Sequence, residues 1–248
     1  MYDDFEQMSL DSFQTEILEV AQSAVNYRKW LARLTYPYLG DNPLEFGSGI
    51  GDYAKEWLQL GCRQLTVSEH SPTRITVLQD QFLNIPHITV RQIDIEKISD
   101  TDAGYSSIVS LNVIEHLEND GAALRGALEA LTPGGLFVAF TPAFPLLMSK
   151  FDKAVGHHRR YTKRTARALL ENNGFDIVKL EYVNSVGWFA WLLGMRILKI
   201  TPKESLMLKI WDKIVIPAVS KFESSITPPF GQSILIVGQK SPEISELK

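Results

Sequence analysis

Leu44-Glu45-Phe46-Gly47-Ser48-Gly49-Ile50-Gly51 is the stretch that decides how this 248-residue chain folds. A short apolar run passes directly into three glycines at alternate positions and then into a helix-like pattern. Glu69 closes a second apolar run 18 residues after Gly51. Backbone that leaves a strand at glycine can turn sharply and approach a ligand closely, and the start of the following helix offers free N–H groups to a nucleotide-type ligand. Gly47 and Gly49 supply the turn and the close approach, with Ser48 between them, and Gly51 lets the next helix pack tightly on the strand. A GxGxG string occurs by chance in many loops, so its surroundings carry the argument.

Working outward, Leu65-Thr66-Val67-Ser68-Glu69 puts a carboxylate at the end of the second strand of an α/β unit, where it can accept from both hydroxyls of a ribose. His70 follows it and, like His87, reads as structural rather than catalytic. A third run, Ile88–Gln92, leads to Asp94-Ile95, with Asp94 placed to accept from an adenine amino group. A fourth, Ser107–Leu111, ends at Asn112 and runs into Val113-Ile114-Glu115-His116-Leu117. Polar residues thus recur at successive strand ends. The periodicity predicts strands at 43–46, 64–69, 88–92, 106–111 and 136–141, the last after a turn at Pro133-Gly134-Gly135. Helices are predicted at 51–60, 72–83 and 118–130. Such alternation gives an α/β fold with a mainly parallel sheet, helices on both faces, and its ligand loops along one rim.

Helical spacing over residues 9–37 predicts two helices ahead of the sheet. Beyond residue 142 come a loop rich in Pro, Phe and Met, a helix at about 164–173 capped by Thr162, and a strand ending near Val183. A helical insertion at 186–223 precedes a last strand, Ser233–Val237. The chain reads as one domain, with a helical cap at 1–38, a core at 39–142, a loop and helical lid at 143–230, and the last strand at 231–240.

Apolar residues make up 45% and charged residues 22% of the chain, the composition of an ordinary soluble globular protein. A net charge of -4 argues against an extended polyanion surface, so nucleic acid is not the expected partner. Cys62 is the only cysteine, which excludes an intramolecular disulfide and a cysteine-based metal site. The N-terminus, Met1–Gln7, is acidic and lacks the apolar core of a signal peptide, so a cytoplasmic protein is expected. Val183–Ile200 is the most hydrophobic segment, but Asn184, Ser185, Arg196 and Lys199 interrupt it. It reads as a substrate-covering helix able to touch a membrane surface, with no transmembrane segment.

The successive segments LEFGSGIG, VSEH, QIDI, NVIEHL and LTPGGLFVAFTP resemble, in order, the signatures of class I S-adenosylmethionine-dependent methyltransferases, strongly over residues 40–142. That resemblance implies a Rossmann-like seven-stranded sheet whose antiparallel last strand lies between the fifth and sixth. It implies S-adenosylmethionine as cofactor, with Glu45 near its methionine part. The expected cofactor residues are Tyr27, Glu45, Gly47, Ser48, Gly49, Gly51, Glu69, His70, Asp94, Ile95, Asn112 and Val113. Asn26–Trp30 resembles the segment that covers the cofactor in related enzymes, with amphipathic packing of Tyr27 and Trp30 as the alternative.

Methyl transfer from a sulfonium is an in-line displacement that needs alignment and, for a hydroxyl or ammonium acceptor, loss of a proton. The constellation Asp152–Tyr161, GHHRRY at its end, follows the fifth strand, where this fold places acceptor loops. His157 and His158 are the candidate bases, His116 a further catalytic candidate, and Arg160 and Tyr161 candidate acceptor contacts. The alternative is that the arginines pair with surface carboxylates and Tyr161 packs ahead of a helix. Trp188, Phe189, Trp191, Leu192, Leu193 and Met195 read as core or lid, and so much aromatic surface in an insertion suits an apolar or lipid-like small-molecule acceptor, with Trp188 and Trp191 as candidate contacts. No metal is expected, because no pair of histidines and carboxylates shows metal-site spacing on a helix. The expected activity is methyl transfer to oxygen or nitrogen by a monomer or homodimer. The rival readings are a cofactor-assisted cyclase or rearrangement on the same fold, and a non-catalytic binding module.

Overall fold

The computed structural model describes residues 9–97, 103–197 and 206–242. Two helices come first, α1 (Leu10–Ala21) and α2 (Val25–Thr35), the first capped by Ser9, whose hydroxyl accepts from Ser12 N–H. Strands and helices then alternate: β1 (Pro43–Phe46), α3 (Asp52–Gln59), β2 (Leu65–Glu69), α4 (Pro72–Phe82), β3 (Ile88–Gln92), β4 (Tyr105–Leu111), α5 (Asp120–Ala130) and β5 (Leu131–Pro142). Side-chain caps fix the helix starts. Ser71 accepts from Arg74 N–H ahead of Pro72, and Asn119 accepts from Ala122 N–H.

After β5 come a short helix α6 (Lys150–Ala154), then α7 (Lys163–Asn172) and β6 (Phe175–Val183). The insertion contains α8 (Ser185–Ala190), α9 (Leu206–Ile210) and α10 (Ile216–Glu223), with π-helical turns at Trp191–Ile197 and Trp211–Val215. The chain closes with β7 (Ser233–Lys240).

The seven strands form one sheet in the order β3-β2-β1-β4-β5-β7-β6. All neighbours are parallel except β7, which runs antiparallel to β5 and β6. This is the Rossmann-like α/β arrangement that the sequence predicts.

Alternation along the strands separates two cores. Leu44, Phe46 and Ile108 pack with Leu124 and Leu170 on one face. Val67 and Val109 pack with Leu31, Trp57 and Leu78 on the other. Trp57 is fully buried and its indole N–H donates to Ala32 O and Thr35 Oγ1, which ties α3 to α2. Truncation of such a side chain to alanine costs about 3–5 kcal/mol.

Three differences from the sequence reading have local causes. β5 begins at Leu131 rather than 136, because Pro133-Gly134-Gly135, read as a turn ahead of the strand, is an irregularity within it. Tyr105 pairs with Leu131 and Ser107 with Leu136, so the extra residues are absorbed between the two pairs. The loop after β5 contains α6, nucleated by a capping box between Ser149 and Asp152. The insertion is broken into short helices and π turns.

Two carboxylates dock that insertion. Asp212 accepts from Asn26 N–H, Asn26 Nδ2 and Tyr27 N–H at the start of α2, and Glu223 accepts from Asn184 N–H, Ser185 N–H and Ser185 Oγ. Met1–Gln7, Lys199 and Ile200 lie outside the described residues, as do the side chains of Met195 and Arg196. Among the described residues, no helix is long and apolar enough to cross a membrane.

Candidate active site

The carboxyl ends of the central strands open into a cavity of about 600 Å³, roofed by α1 and closed at its far end by residues around α6. The glycine loop forms its floor. Gly47 adopts φ +65°, and a Cβ there would lie 2.7 Å from Val113 Cγ2, so both the backbone angle and the space demand glycine. Ser48 pins the loop to β2: its N–H donates to Ser68 O, and its hydroxyl accepts from Ser68 N–H. Gly51, at φ +79°, does not line the cavity. A Cβ there would meet Leu78, Gln81 and Phe82, so this glycine serves the contact with α4.

Glu69 lines the cavity but is heavily engaged by the protein. Its Oε2 accepts from Gly49 N–H at 2.9 Å, and its Oε1 from His70 N–H, Ser71 N–H and Arg74 Nη2 at 2.9–3.1 Å. Arg74 also pairs with Asp11 at 2.9 Å, which latches α1 over the loop. Neither Arg74 nor Asp11 stands out in the sequence.

Glu45 is 1% exposed, does not line the cavity, and holds an Oε2 without a hydrogen-bond partner. Burial pushes its carboxyl up to about 8, despite the opposing hydrogen bond from Ser48. Asp94 faces the cavity and is held below the usual carboxylate range, chiefly by the Lys97 ammonium at 2.8 Å. Asn112 leaves β4 at φ +54°, in the left-handed region that asparagine tolerates, and its N–H donates to Phe140 O. Tyr27, His70, Ile95 and Val113 also line the cavity. Burial raises the Tyr27 phenol to about 12.

The other end of the cavity is polar. Asp152 is fully buried and accepts from His157 Nδ1 at 3.0 Å, from Arg160 Nη2 at 2.7 Å, and from Ser149 N–H and Oγ at 2.6 Å. Burial opposes its charge, but the His157 hydrogen bond and the Arg160 charge outweigh burial and hold the carboxyl down at about 2. Arg160 donates to Ala143 O and stacks on Trp191, whose indole N–H donates to Leu147 O. His116 meets His157 edge-on with ring centroids 4.5 Å apart. Burial, then the charge of His157, lowers the His116 imidazole to about 3, so it is neutral at physiological pH. Glu115 is fully buried, with Oε2 accepting from Thr141 Oγ1 and Oε1 4.0 Å from His157 Nε2.

The cavity therefore brings together His116, His157, Arg160 and Trp191 from the sequence-predicted acceptor and catalytic set. Three others sit elsewhere. His158 is exposed and engages Glu115 only through its backbone N–H, so its imidazole is not at the cavity. Tyr161 is buried away from it, with its hydroxyl donating to Asp120 at 2.7 Å, and packs ahead of α7 as the alternative reading has it. Trp188 belongs to an aromatic cluster with Phe144, Phe189 and Phe230. Sequence reasoning gave no role to Glu115 or Asp152, although both lie inside quoted motifs. Their signal, an acidic residue that becomes buried, is invisible until the loops fold together. Glu115, His116 and His157 converge from two loops distant in sequence, a grouping that spacing along a helix does not register.

The family model for "Methyltransferase domain" matches residues 21–180. The chain belongs to the methyltransferase-domain family. Its match to a Mycolicibacterium smegmatis protein named "Probable S-adenosylmethionine-dependent methyltransferase" is 24% identical over 147 residues, covering 58% of this chain and 56% of that protein. The chain thus spans about half the length of the curated relative it matches. A Thermotoga maritima methyltransferase described as a possible histamine N-methyltransferase has a similar fold, with a TM-score of 0.64 at 15% identity, covering 93% of this chain and 97% of that one. A Mesorhizobium loti S-adenosylmethionine-dependent methyltransferase gives 0.58 at 16% identity, covering 85% and 96%. S-adenosylmethionine is the methyl donor typical of this family. The glycine loop and the Asp94 side of the cavity fit the nucleoside part of that donor.

Proposed function

We propose that the protein is an S-adenosylmethionine-dependent methyltransferase that methylates oxygen or nitrogen on a small apolar or lipid-like acceptor. The observation that carries this reading is a single cavity with two unlike ends, the glycine loop and strand-end acids at one, and Glu115, His116 and His157 beside Trp191 at the other. When bound, S-adenosylmethionine supplies a methyl group on a sulfonium, open to in-line displacement. The strand ends Glu69, Asp94 and Asn112 hold the nucleoside side, and Glu45 supports the methionine side. The acceptor aligns against Trp191 and Phe151, and its proton leaves at the Glu115–His116–His157 end.

The acceptor class rests on the insertion. Phe189, Leu193, Ile210, Ile214 and Phe222 are large apolar side chains about half exposed on it, a surface suited to an apolar substrate or to the rim of a lipid layer. Residues 143–230 then act as acceptor loop and lid, and 1–38 as the cap.

Incubation with S-adenosylmethionine carrying a labelled methyl group, and with a panel of apolar alcohols, phenols, amines and a lipid extract, tests the reading. Label that partitions into organic solvent in step with S-adenosylhomocysteine formation supports it. Absence of S-adenosylhomocysteine, or label confined to water-soluble products, overturns it.

A further inference from the structure

We propose that Glu115, His116 and His157 form a binding site for a divalent first-row transition cation at the acceptor end of the cavity. One carboxylate oxygen and two imidazole nitrogens of these residues lie within 4.8 Å of one another, and all three residues line the cavity. Two imidazoles and one carboxylate make a donor set that suits zinc, iron(II) or cobalt(II) and leaves coordination positions open.

Glu115 points to a ligand independently of that geometry. Its side chain is fully buried, Oε2 is satisfied by Thr141, and Oε1 has no hydrogen-bond partner. A buried carboxylate oxygen in that state is costly unless something positive meets it. The nearby guanidinium of Arg160 is engaged by Asp152, at 2.7 Å from Nη2 and 3.1 Å from Nε, and gives Glu115 Oε1 no hydrogen bond. The histidine side is prepared as well. Asp152 engages His157 Nδ1, so Nε2 is the ring nitrogen turned towards Glu115, and a carboxylate behind a histidine is the usual means of orienting a metal ligand.

A tetrahedral ion with bonds of about 2.1 Å holds its ligand atoms about 3.4 Å apart, so the cluster closes by roughly 1 Å on binding. His116 lies on the turn after β4 and His157 on the segment after α6, so the closure needs side-chain rotation on two loops and no shift of the sheet. An acceptor oxygen or nitrogen in an open position would lose its proton more readily, by the same effect that acidifies metal-bound water. His157 then acts as a ligand instead of taking the proton itself. This inference rests on the reading that the acceptor reacts at this end.

The test titrates chelator-stripped full-length protein with zinc chloride by calorimetry and with cobalt chloride by visible absorption, both without S-adenosylmethionine. The expected result is one equivalent bound, with cobalt ligand-field bands, and a loss of at least tenfold in affinity in Glu115→Gln and in His157→Gln. Cys62→Ser, far from the cluster, keeps the wild-type value. No stoichiometric binding by wild-type protein, or binding that survives both ligand substitutions, overturns the inference. The readout uses neither cofactor nor acceptor, so a failure of methyl transfer overturns the proposed function while the metal result is judged separately.

Discussion

The Glu69 carboxylate accepts a hydrogen bond from the Gly49 backbone N–H at 2.9 Å, so the acid that ends β2 also holds the glycine loop that follows β1. Its other oxygen takes His70 N–H, Ser71 N–H and Arg74. A carboxylate that organises the loop acts on cofactor binding in two ways, by direct contact and by the shape of the loop. Glu69→Ala leaves several donors unpaired in a buried region and is expected to cost at least about 2 kcal/mol of stability, together with about 1–3 kcal/mol of S-adenosylmethionine binding. Glu69→Gln keeps an acceptor oxygen for Gly49 and should retain more stability than binding. Urea unfolding and calorimetry with S-adenosylmethionine and S-adenosylhomocysteine check this, and equal losses in both variants would count against the clamp.

Glu45 sets a pH dependence of stability. Its carboxyl rises to about 8 in the folded chain from an ordinary value of 4.5, mainly through burial. Between those pH values the folded state holds a proton that the unfolded state has released, so stability falls as pH rises through this window. At 1.36 kcal/mol per unit, a shift of this size is worth a few kcal/mol by pH 8. Glu45→Gln removes the dependence. Unfolding free energies of the two proteins should lie close together at pH 5, where the folded Glu45 carboxyl is as neutral as the amide, and separate in favour of the variant at pH 8; parallel profiles would exclude the assignment.

Asp152 joins the two ends of the acceptor loop by capping α6 and binding both His157 and Arg160. Asp152→Asn leaves the Arg160 charge buried without its partner, a loss expected to cost about 3–5 kcal/mol. The carboxyl is held at about 2, below its ordinary 3.8, so its stabilising effect is complete above pH 4 and disappears as pH falls towards 2. His157→Gln leaves the Asp152–Arg160 pair in place and is expected to lower kcat by about 10²–10⁴-fold with S-adenosylmethionine affinity within twofold of wild type. A parallel loss of cofactor affinity would place His157 in the wrong half of the cavity.

What the sequence revealed and what it hid follow from the range of the interactions. Gly47, Glu69, Asp94 and Asn112 were legible because each ends a strand, and strand ends of a parallel sheet meet along one rim whatever the helices between them do. The multiple bonds of Glu69 were not legible, since Arg74 reads as an ordinary residue of a helix's first turn. The acceptor end was half legible. His157 and Arg160 sit in an obvious polar run, but whether His157 or His158 faces inward depends on how the chain leaves α6, and that is set by the Ser149–Asp152 capping box and the backbone bond from His158 to Glu115. The meeting of Glu115, His116 and His157 required two loops to fold against one another, and no local pattern encodes it.

Gly47 is the position where steric and conformational demands can be separated. Its φ of +65° is unfavourable for any residue with a β-carbon, and that β-carbon would stand 2.7 Å from Val113. Gly47→Ala therefore combines two costs, about 1 kcal/mol or more for the left-handed backbone and a clash that either pushes Val113 into the cavity or opens the loop. Val113→Ala removes the obstructing methyl groups but leaves the backbone angle unchanged. The double variant Gly47→Ala/Val113→Ala should recover part of the stability lost in Gly47→Ala, with a favourable coupling of about 0.5–3 kcal/mol in a double-mutant cycle. Cofactor affinity should recover less, because Val113 also lines the cavity. Urea unfolding of the four proteins measures the coupling, and additive losses would mean that the loop yields elsewhere and that Val113 does not set its position.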